Sequence, residues 1–477
     1  MKRKTFALAS LFVFFVLLVM SPPAVWAQKL YGTTWDDILA AKANYDDPSK
    51  LFEKLPHSKV IPKEVLDKIT YDQNEMKRLW AEVIGFKAPD VVGRIAPGIK
   101  PGKYTYQDKE KYPFKELMIP EHYDRFAPGG EPRAGNFPEI TVIPTKQYYT
   151  ALPYAQKTKE YMGKVKQYDD GYLDYSTYGG AFPFPRPAGP FMAQQIMYNQ
   201  EKRYSCGETY HLLINNLGFN ARFEQDLNSI IEMHSMRVEG RCLFAPLGFY
   251  DERAKKEGES RLNVIRWHSP RDLFGMAYIN VTYDDPDKQH LNMMYIPAIR
   301  RVRKMSGTDV QDPLGGQDMC ADDGDLFNQK LSRNRYPYEY TVIKEQEFLV
   351  PFATADGGGY LTSKGLELRD YEFERRPIWV VELKQKDPNY IYSKRIIYFD
   401  KELLALVMSV NYDQKGRLYR TLEQREYVHP ESGIMYMGGT AYLDYIDSHS
   451  TIQHSYIVAD PGVDRENFSL KTMIRAK

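Results

Sequence analysis

Histidines and aspartates in the second half of the chain are the first side chains whose spacing could support metal chemistry. His449 and His454 lie five residues apart. On a predicted strand they face opposite sides, because side chains alternate between the two faces of a sheet. Six aspartates within residues 309–325 supply the oxygen ligands that Ca²⁺ prefers, but their spacing does not match an EF-hand loop. We therefore predict no metal site and no cofactor.

Residues that could act as a nucleophile or bind a phosphate do not form a recognisable motif. The chain has no Gly-x-Ser-x-Gly sequence, and the three glycines at 357–359 are not followed by the Lys-Ser/Thr pair of a phosphate-binding loop. Because 63 residues are acidic, a pair of carboxylates could always be chosen, so that argument has no specificity. We predict a protein without catalytic residues, and a hydrolase stays as the less favoured alternative.

The three cysteines, Cys206, Cys242 and Cys320, are too far apart for a Cys-x-x-Cys motif. This spacing argues against a zinc ribbon or a thioredoxin-like site. In an oxidising compartment one disulfide and one remaining thiol are expected. The Cys206–Cys242 loop is the shortest, so we predict that pair, with three free thiols as the alternative.

The first 27 residues have the pattern of a secretory signal peptide. Three basic residues at positions 2–4 precede an apolar run over residues 6–20, and Val25 and Ala27 occupy the two positions that a signal peptidase reads. The run is short for a membrane span, which needs about 20 apolar residues. We predict that the mature chain begins at Gln28 and is soluble and exported.

The composition indicates a globular chain and excludes a nucleic-acid-binding role. Of 477 residues, 43% are hydrophobic and 27% are charged, which is typical of a folded protein. The net charge is +1, so no concentrated basic surface is expected for nucleic acid. The 37 tyrosines suit strands and half-wet binding surfaces. Together with the curved sheet and the loop insertion predicted for residues 191–477, they favour a hydrophobic small molecule as the partner.

Helical patterns lie in residues 28–110. Thr34 is a predicted N-cap for a first helix that stops before Pro48, and an apolar stripe predicts a second helix from Pro62 to Gly85. Residues 111–190 are rich in Pro, Gly and Tyr. This composition predicts an irregular arm that lies over the rest of the protein.

Residues 191–477 have the pattern of a β meander. Alternating runs at 394–399, 403–412, 417–428 and 434–446 are joined by short turns, and the run at 295–304 predicts a further single strand. No β-α-β alternation is seen. The predicted fold class is therefore mainly β with helices (α+β), built on a large curved antiparallel sheet or part-barrel. Residues 306–335, rich in Gly and Asp, interrupt the meander as a predicted lid.

Four segments carry a resemblance to a known family. They are GGAFPFP at 179–185, YIPAIRRVRK at 295–304, YSKRIIYFD at 392–400 and the Tyr-Asp-x-x-Gly-Arg-Leu run at 412–418. They resemble the bacterial domain of unknown function 1329 (DUF1329), which is related to outer-membrane lipoprotein-sorting (LolA/LolB-like) proteins. The resemblance implies an unclosed β-barrel wrapped on helices, with a hydrophobic concavity, in a Gram-negative periplasm. It also implies an RND-type inner-membrane transporter and an outer-membrane β-barrel protein as partners.

Together these patterns predict a non-enzymatic carrier or adaptor that binds a lipid or other hydrophobic cargo. Exposing one methylene group to water costs about 0.8 kcal/mol of free energy. A protein that encloses an acyl chain therefore lowers the barrier to moving that chain through water. An envelope sensor or interaction module on the same fold is the alternative. Alternation identifies candidate lining residues without showing which face points inward. These candidates are Leu366, Leu368, Ile378, Val380, Ile396, Tyr398, Leu404, Leu406, Tyr442 and Tyr445.

Overall fold

The computed structural model describes residues 59–60, 63–129, 135–305, 309–352, 360–361, 368–369, 371–459 and 462–475. The predicted signal peptide, the predicted helix at Thr34, the glycines at 357–359 and the candidate Leu366 lie outside these residues. Within them, no helix is both long enough and apolar enough to span a bilayer.

The α-helices are short and fall mostly in the first half of the described chain. They are α1 (Lys63–Ile69), α2 (Gln73–Ile84), α3 (Ala88–Val91), α4 (Phe114–Leu117), α5 (Pro120–Arg125), α6 (Leu152–Tyr161), α7 (Met192–Glu201), α8 (Glu252–Glu257) and α9 (Leu470–Arg475).

The single helix predicted up to Gly85 is instead the pair α1 and α2. The Asp72 side chain accepts a hydrogen bond of 2.8 Å from the N–H of Glu75, so a new helix starts there rather than continuing α1. Gly85, at φ 91°, ends α2 as predicted, because glycine adopts this left-handed conformation without a Cβ clash.

The strands follow one another with short connections. They are β1 (Lys59–Val60), β2 (Gly102–Thr105), β3 (Glu139–Ile143), β4 (Thr209–Phe219), β5 (Gln225–Arg237), β6 (Glu259–Ser269), β7 (Ala277–Tyr283), β8 (Leu291–Ile296), β9 (Arg301–Lys304), β10 (Tyr338–Phe352), β11 (Tyr360–Leu361), β12 (Leu368–Arg369), β13 (Glu372–Gln385), β14 (Lys394–Asp400), β15 (Ala405–Tyr412), β16 (Leu418–Val428), β17 (Met435–Asp444) and β18 (His449–Ala459).

Sixteen of these strands form one large sheet that does not close. Its order is β2-β3-β13-β14-β15-β16-β17-β18-β4-β5-β6-β7-β8-β9, with β10 also paired to β13 and β1 to β18. Two pairings, β1 with β18 and β3 with β13, are parallel, and the rest are antiparallel. The predicted class, a large open and mainly antiparallel sheet with helices, is confirmed.

The single strand predicted at residues 295–304 is wrong, because the segment is a hairpin. Strand β8 ends at Ile296, a 3-10 turn covers Pro297–Ile299, and Arg300 takes the left-handed conformation at φ 52°. Strand β9 then returns antiparallel, with Val302 opposite Tyr295. Proline fixes its own φ and cannot donate to a ladder, which favours a turn at this point.

The two faces of the sheet are covered by different parts of the chain. The helix face carries Trp379 and Leu422 and packs against α2, α6 and α7 in one hydrophobic core. The opposite face, here called the arm face, carries Leu217 and Leu443. It packs against apolar side chains from residues 95–142, such as Phe114.

Candidate functional site

A cavity lies on the helix face where strands β4 to β7 meet the loop of residues 309–335, here called the insertion. The space inside it is ≈ 850 Å³, counting solvent at its open side. Most of the lining is apolar. The apolar lining residues are Leu212, Ile214, Ile231, Met233, Ile265, Leu314, Met319, Ala321 and Met437, with Tyr210, Tyr278 and Tyr442 beside them.

Strand register brings these side chains to one face. Leu212 pairs with Met233, Met233 with Ile265, and Ile265 with Tyr278. Paired residues project to the same side of a sheet, so the four form a row across β4 to β7. Met233 and Ile265 remain only half-buried, because the cavity leaves them without packing partners on one side.

Methionine is prominent in this lining. Met233 comes from the sheet, Met319 from the insertion and Met437 from β17. The unbranched thioether side chain of methionine repacks easily and is common on apolar surfaces that accept varied partners. The lining is therefore suited to flexible apolar chains.

A few polar side chains interrupt the apolar wall. The Nδ2 of Asn263 donates to the Oδ1 of Asn280 at 3.0 Å. The Oδ1 of Asn263 is buried and has no hydrogen-bond partner among the described residues. A buried acceptor without a partner is costly, so this oxygen is available to a hydroxyl or amide of a ligand.

The insertion is attached to the sheet beside the cavity by polar contacts. His449 Nδ1 lies 2.6 Å from Asp318 Oδ2, and the Thr451 hydroxyl donates to the same oxygen at 2.7 Å. Gln453 Nε2 donates to Gln317 Oε1 at 2.6 Å. The hydrogen bond from His449 to Asp318 raises the pKa of His449 to about 9 despite partial burial. The imidazole is therefore charged at neutral pH.

The insertion is held more firmly at Asp323, over β14. Arg395 and Asp323 are fully buried, and Arg395 Nη1 donates to Asp323 Oδ1 at 2.9 Å. The Tyr392 hydroxyl donates to the other carboxylate oxygen at 2.8 Å. Buried charges with such partners are hard to separate, so this end of the insertion is fixed.

Of the nine candidate lining residues that the structure describes, Tyr442 alone lines this cavity. Leu404 and Leu406 do lie on the helix side, but in the core under α2 and α7, where they are 0% and 2% exposed. The helices fill the space in front of them. Nothing in the alternation of β15 could indicate that covering.

The remaining described candidates belong to other packing groups. Ile378, Val380, Ile396 and Tyr398 form a cluster on the arm face with Ile119 and Phe348. The other two, Leu368 and Tyr445, pack with the aromatic group around Phe126 and Phe137. The first four point to the arm face, away from the cavity, whereas Leu368 belongs to the separate β11–β12 pair and Tyr445 follows the end of β17.

The predicted Cys206–Cys242 disulfide is not formed, and all three cysteines are free thiols. Cys206 is in a core cluster with Tyr210 and Ile434, whereas the Cys242 thiol donates to the Gly240 carbonyl at 3.5 Å. Short loop length alone does not bring two side chains together. Burial raises the pKa of Cys206 to about 12, so its thiol is unreactive.

A second polar cluster, not predicted from the sequence, lies on the arm face. His211 and His234 approach Glu232 Oε1 at 2.7 and 3.2 Å, and His268 lies 2.9 Å from Oε2. Such donors suit Zn²⁺, and ligand atoms from His211, Glu232 and His234 lie within 4.8 Å of one another. The residues come from three different strands, so their proximity depends on register, which the sequence does not display.

Comparison with known sequences identifies one family. The model of the family described as "Protein of unknown function (DUF1329)" matches residues 120–471, which is more than half of the chain. No curated protein matches the chain significantly.

Several solved structures are similar to part of the fold. An outer membrane lipoprotein-sorting protein domain from Vibrio parahaemolyticus is 17% identical, with a TM-score of 0.41 over 59% of this chain and 97% of that one. A DUF1329 family protein from Desulfovibrio piger is 16% identical, with a TM-score of 0.40 over 56% and 91%. A LolA superfamily protein from Nitrosomonas europaea is 11% identical, with a TM-score of 0.37 over 59% and 98%.

Proposed function

The chain belongs to the DUF1329 family, and from the geometry of its helix face we propose that it is a non-enzymatic carrier for a lipid or other hydrophobic cargo. The observation that carries this proposal is the cavity of ≈ 850 Å³ walled by apolar side chains of β4 to β7. Each methylene moved from water into such a wall gains about 0.8 kcal/mol. A chain of moderate length would therefore bind stably without any covalent step.

The lining residues support a carrier rather than an enzyme. Those described include one carboxylate, Asp325, and no serine, cysteine or histidine. Asp325 is already ion-paired with Arg203. A hydrolase needs a nucleophile or paired acid and base groups at the reacting atoms.

We propose the part of the insertion near Gln317 and Asp318 as the lid of the cavity. Its attachments to β18 are two hydrogen bonds and the partly exposed His449–Asp318 ion pair, whereas Asp323 is fixed by a fully buried charge pair. The cavity would then open by a local movement of residues 314–319, while the contact at Asp323 stays in place. Cargo could enter and leave without unfolding of the sheet.

We place this carrier in the periplasm of a Gram-negative cell. The support is the leader pattern of residues 1–27, with its basic start and short apolar run. We further propose an RND-type inner-membrane transporter and an outer-membrane β-barrel protein as donor and acceptor of the cargo, on the basis of the resemblance to the DUF1329 family.

A binding experiment with a neutral dye tests the carrier role. The mature chain should bind Nile red saturably, with one dye per chain. Met233→Trp fills the cavity from its floor and should weaken binding about tenfold or more. Met293, a half-buried methionine of the arm face, provides the control, and Met293→Trp should leave the affinity unchanged. Absence of saturable binding, or equal weakening by both variants, would refute the proposal.

A further inference from the structure

A second cavity adjoins the apolar one and has the opposite character. Its space is ≈ 470 Å³, counting solvent at its open side, and its walls include one carboxylate, Glu201, and five cations, Lys202, Arg203, Arg237, Arg261 and Lys330. We call it the cationic pocket. Arg261 and Asn328 line both cavities, so the two are contiguous.

Carboxylates compensate most, but not all, of this positive charge. Glu201 lies in the pocket but accepts hydrogen bonds from the Tyr175 hydroxyl and the Leu331 N–H rather than from a cation. Lys202 is ion-paired with Glu239 and Asp284. Asp325 is shared, since it binds Arg203 and lies 3.9 Å from Arg261. One carboxylate thus serves two guanidinium groups.

Two further cations contact only neutral acceptors. Arg237 donates to the carbonyls of Lys202 and Arg203 and lies over the Tyr204 ring, 4.2 Å from its centre. Lys330 donates to two backbone carbonyls of the loop after β7. Within the described residues, neither of these two cations lies within ion-pair distance of a carboxylate.

The pKa shifts differ within the pocket. Despite burial, Asp284 and Glu239 raise the pKa of Lys202 above its usual range, whereas the pKa values of Arg261 and Lys330 are lowered. Burial, together with the like charges of Arg237 and Arg203, lowers the pKa of Arg261 to about 10. Burial also lowers the pKa of Lys330 to about 8. The Nε atoms of Arg203 and Arg237 are buried without an acceptor among the described residues. An added anion would supply both charge and acceptors.

We infer that the cationic pocket binds the anionic head group of an amphiphile whose apolar tail occupies the adjoining cavity. This inference rests on the proposed carrier role and names the class of cargo. Guanidinium groups match the planar oxygens of a carboxylate or the oxygens of a phosphate, and a partly desolvated site strengthens such bonds. Arg261, at the junction of the two cavities, would contact the head group where the tail begins.

Affinities of matched ligands for the mature chain test the inference by isothermal titration calorimetry. Hexadecanoic acid and hexadecyl phosphate should bind about ten- to a hundredfold more tightly than hexadecanol. The preferred acid shows whether a carboxylate or a phosphate fits better. Equal affinities for acid and alcohol would overturn the inference and leave the carrier role intact. Absence of binding by all three would overturn the carrier role itself.

Two charge variants change the preference in opposite directions. Arg261→Gln should reduce the ratio of acid to alcohol affinity several-fold, and the hexadecanol affinity reports any general effect of the change on the apolar cavity. Asp325→Asn removes the competing carboxylate and should raise the affinity for both acids, a gain that misfolding cannot produce. Asparagine also tolerates the left-handed conformation of this residue, at φ 48°. A loss of acid affinity in Asp325→Asn would contradict the inference.

Discussion

The helix face is filled over strands β13 to β16 and hollow over strands β4 to β7. In the filled half, Trp379, Leu406 and Leu422 are at most 5% exposed, because α2, α6 and α7 pack onto them. In the hollow half, Met233 and Ile265 remain half-buried under the insertion. Both halves present apolar rows, so the covering element, not the strands, decides where a cavity forms. An apolar helix fills the space, whereas a loop attached by polar contacts leaves it open.

The insertion covers parts of both halves. A substitution at Asp323, where the insertion is fixed, should have the largest effect on stability. Asp323→Asn would leave the buried Arg395 without a counter-charge in the filled half. The free energy of unfolding should fall by about 3–5 kcal/mol. Denaturant unfolding of wild type and variant measures this loss. A loss below about 1 kcal/mol would show that the insertion is not anchored by this pair.

Tryptophan substitution compares the two halves directly. Leu406→Trp adds volume to a filled core and should lower the free energy of unfolding by about 1–3 kcal/mol. Met233→Trp projects into free space and should change it by less than about 0.5 kcal/mol. Both values come from chemical denaturation of the mature chain. Equal destabilisation by the two variants would mean that the halves do not differ in packing.

A pH effect on the attachment near the cavity is the smallest expected. The pKa of His449 is raised from 6.5 to about 9 by Asp318. A group whose pKa is higher in the folded state than in the unfolded state stabilises the folded state fully below its unfolded pKa. This contribution is lost as the pH rises through the pKa of the folded state. The difference in Tm between wild type and His449→Gln should therefore be constant below about pH 6.5 and vanish above about pH 9. A pH-independent difference would exclude this ion pair as an attachment.

Local signals in the sequence were enough to predict the sheet but not the site. Strands β14 to β17 match the alternating runs closely, because alternation and turn residues act over a few neighbours. Strand β4 shows no alternation, since ten of its eleven residues are buried, and the cavity row starts there at Leu212. The covering of Leu406 and the contact of Asp318 with Thr451 join residues far apart in sequence. Such contacts depend on tertiary packing, which no local pattern records.

Mapping of a photo-crosslinked ligand tests the central claim most directly. A hexadecanol analogue with a diazirine near the end of its chain would be irradiated with the mature chain, and the labelled peptides identified by mass spectrometry. If the chain lies in the cavity, we expect labels on β4, β5 and β6 around Leu212, Met233 and Ile265, and on the insertion around Leu314 and Met319. Labels confined to β13–β16 or to the arm face would contradict it.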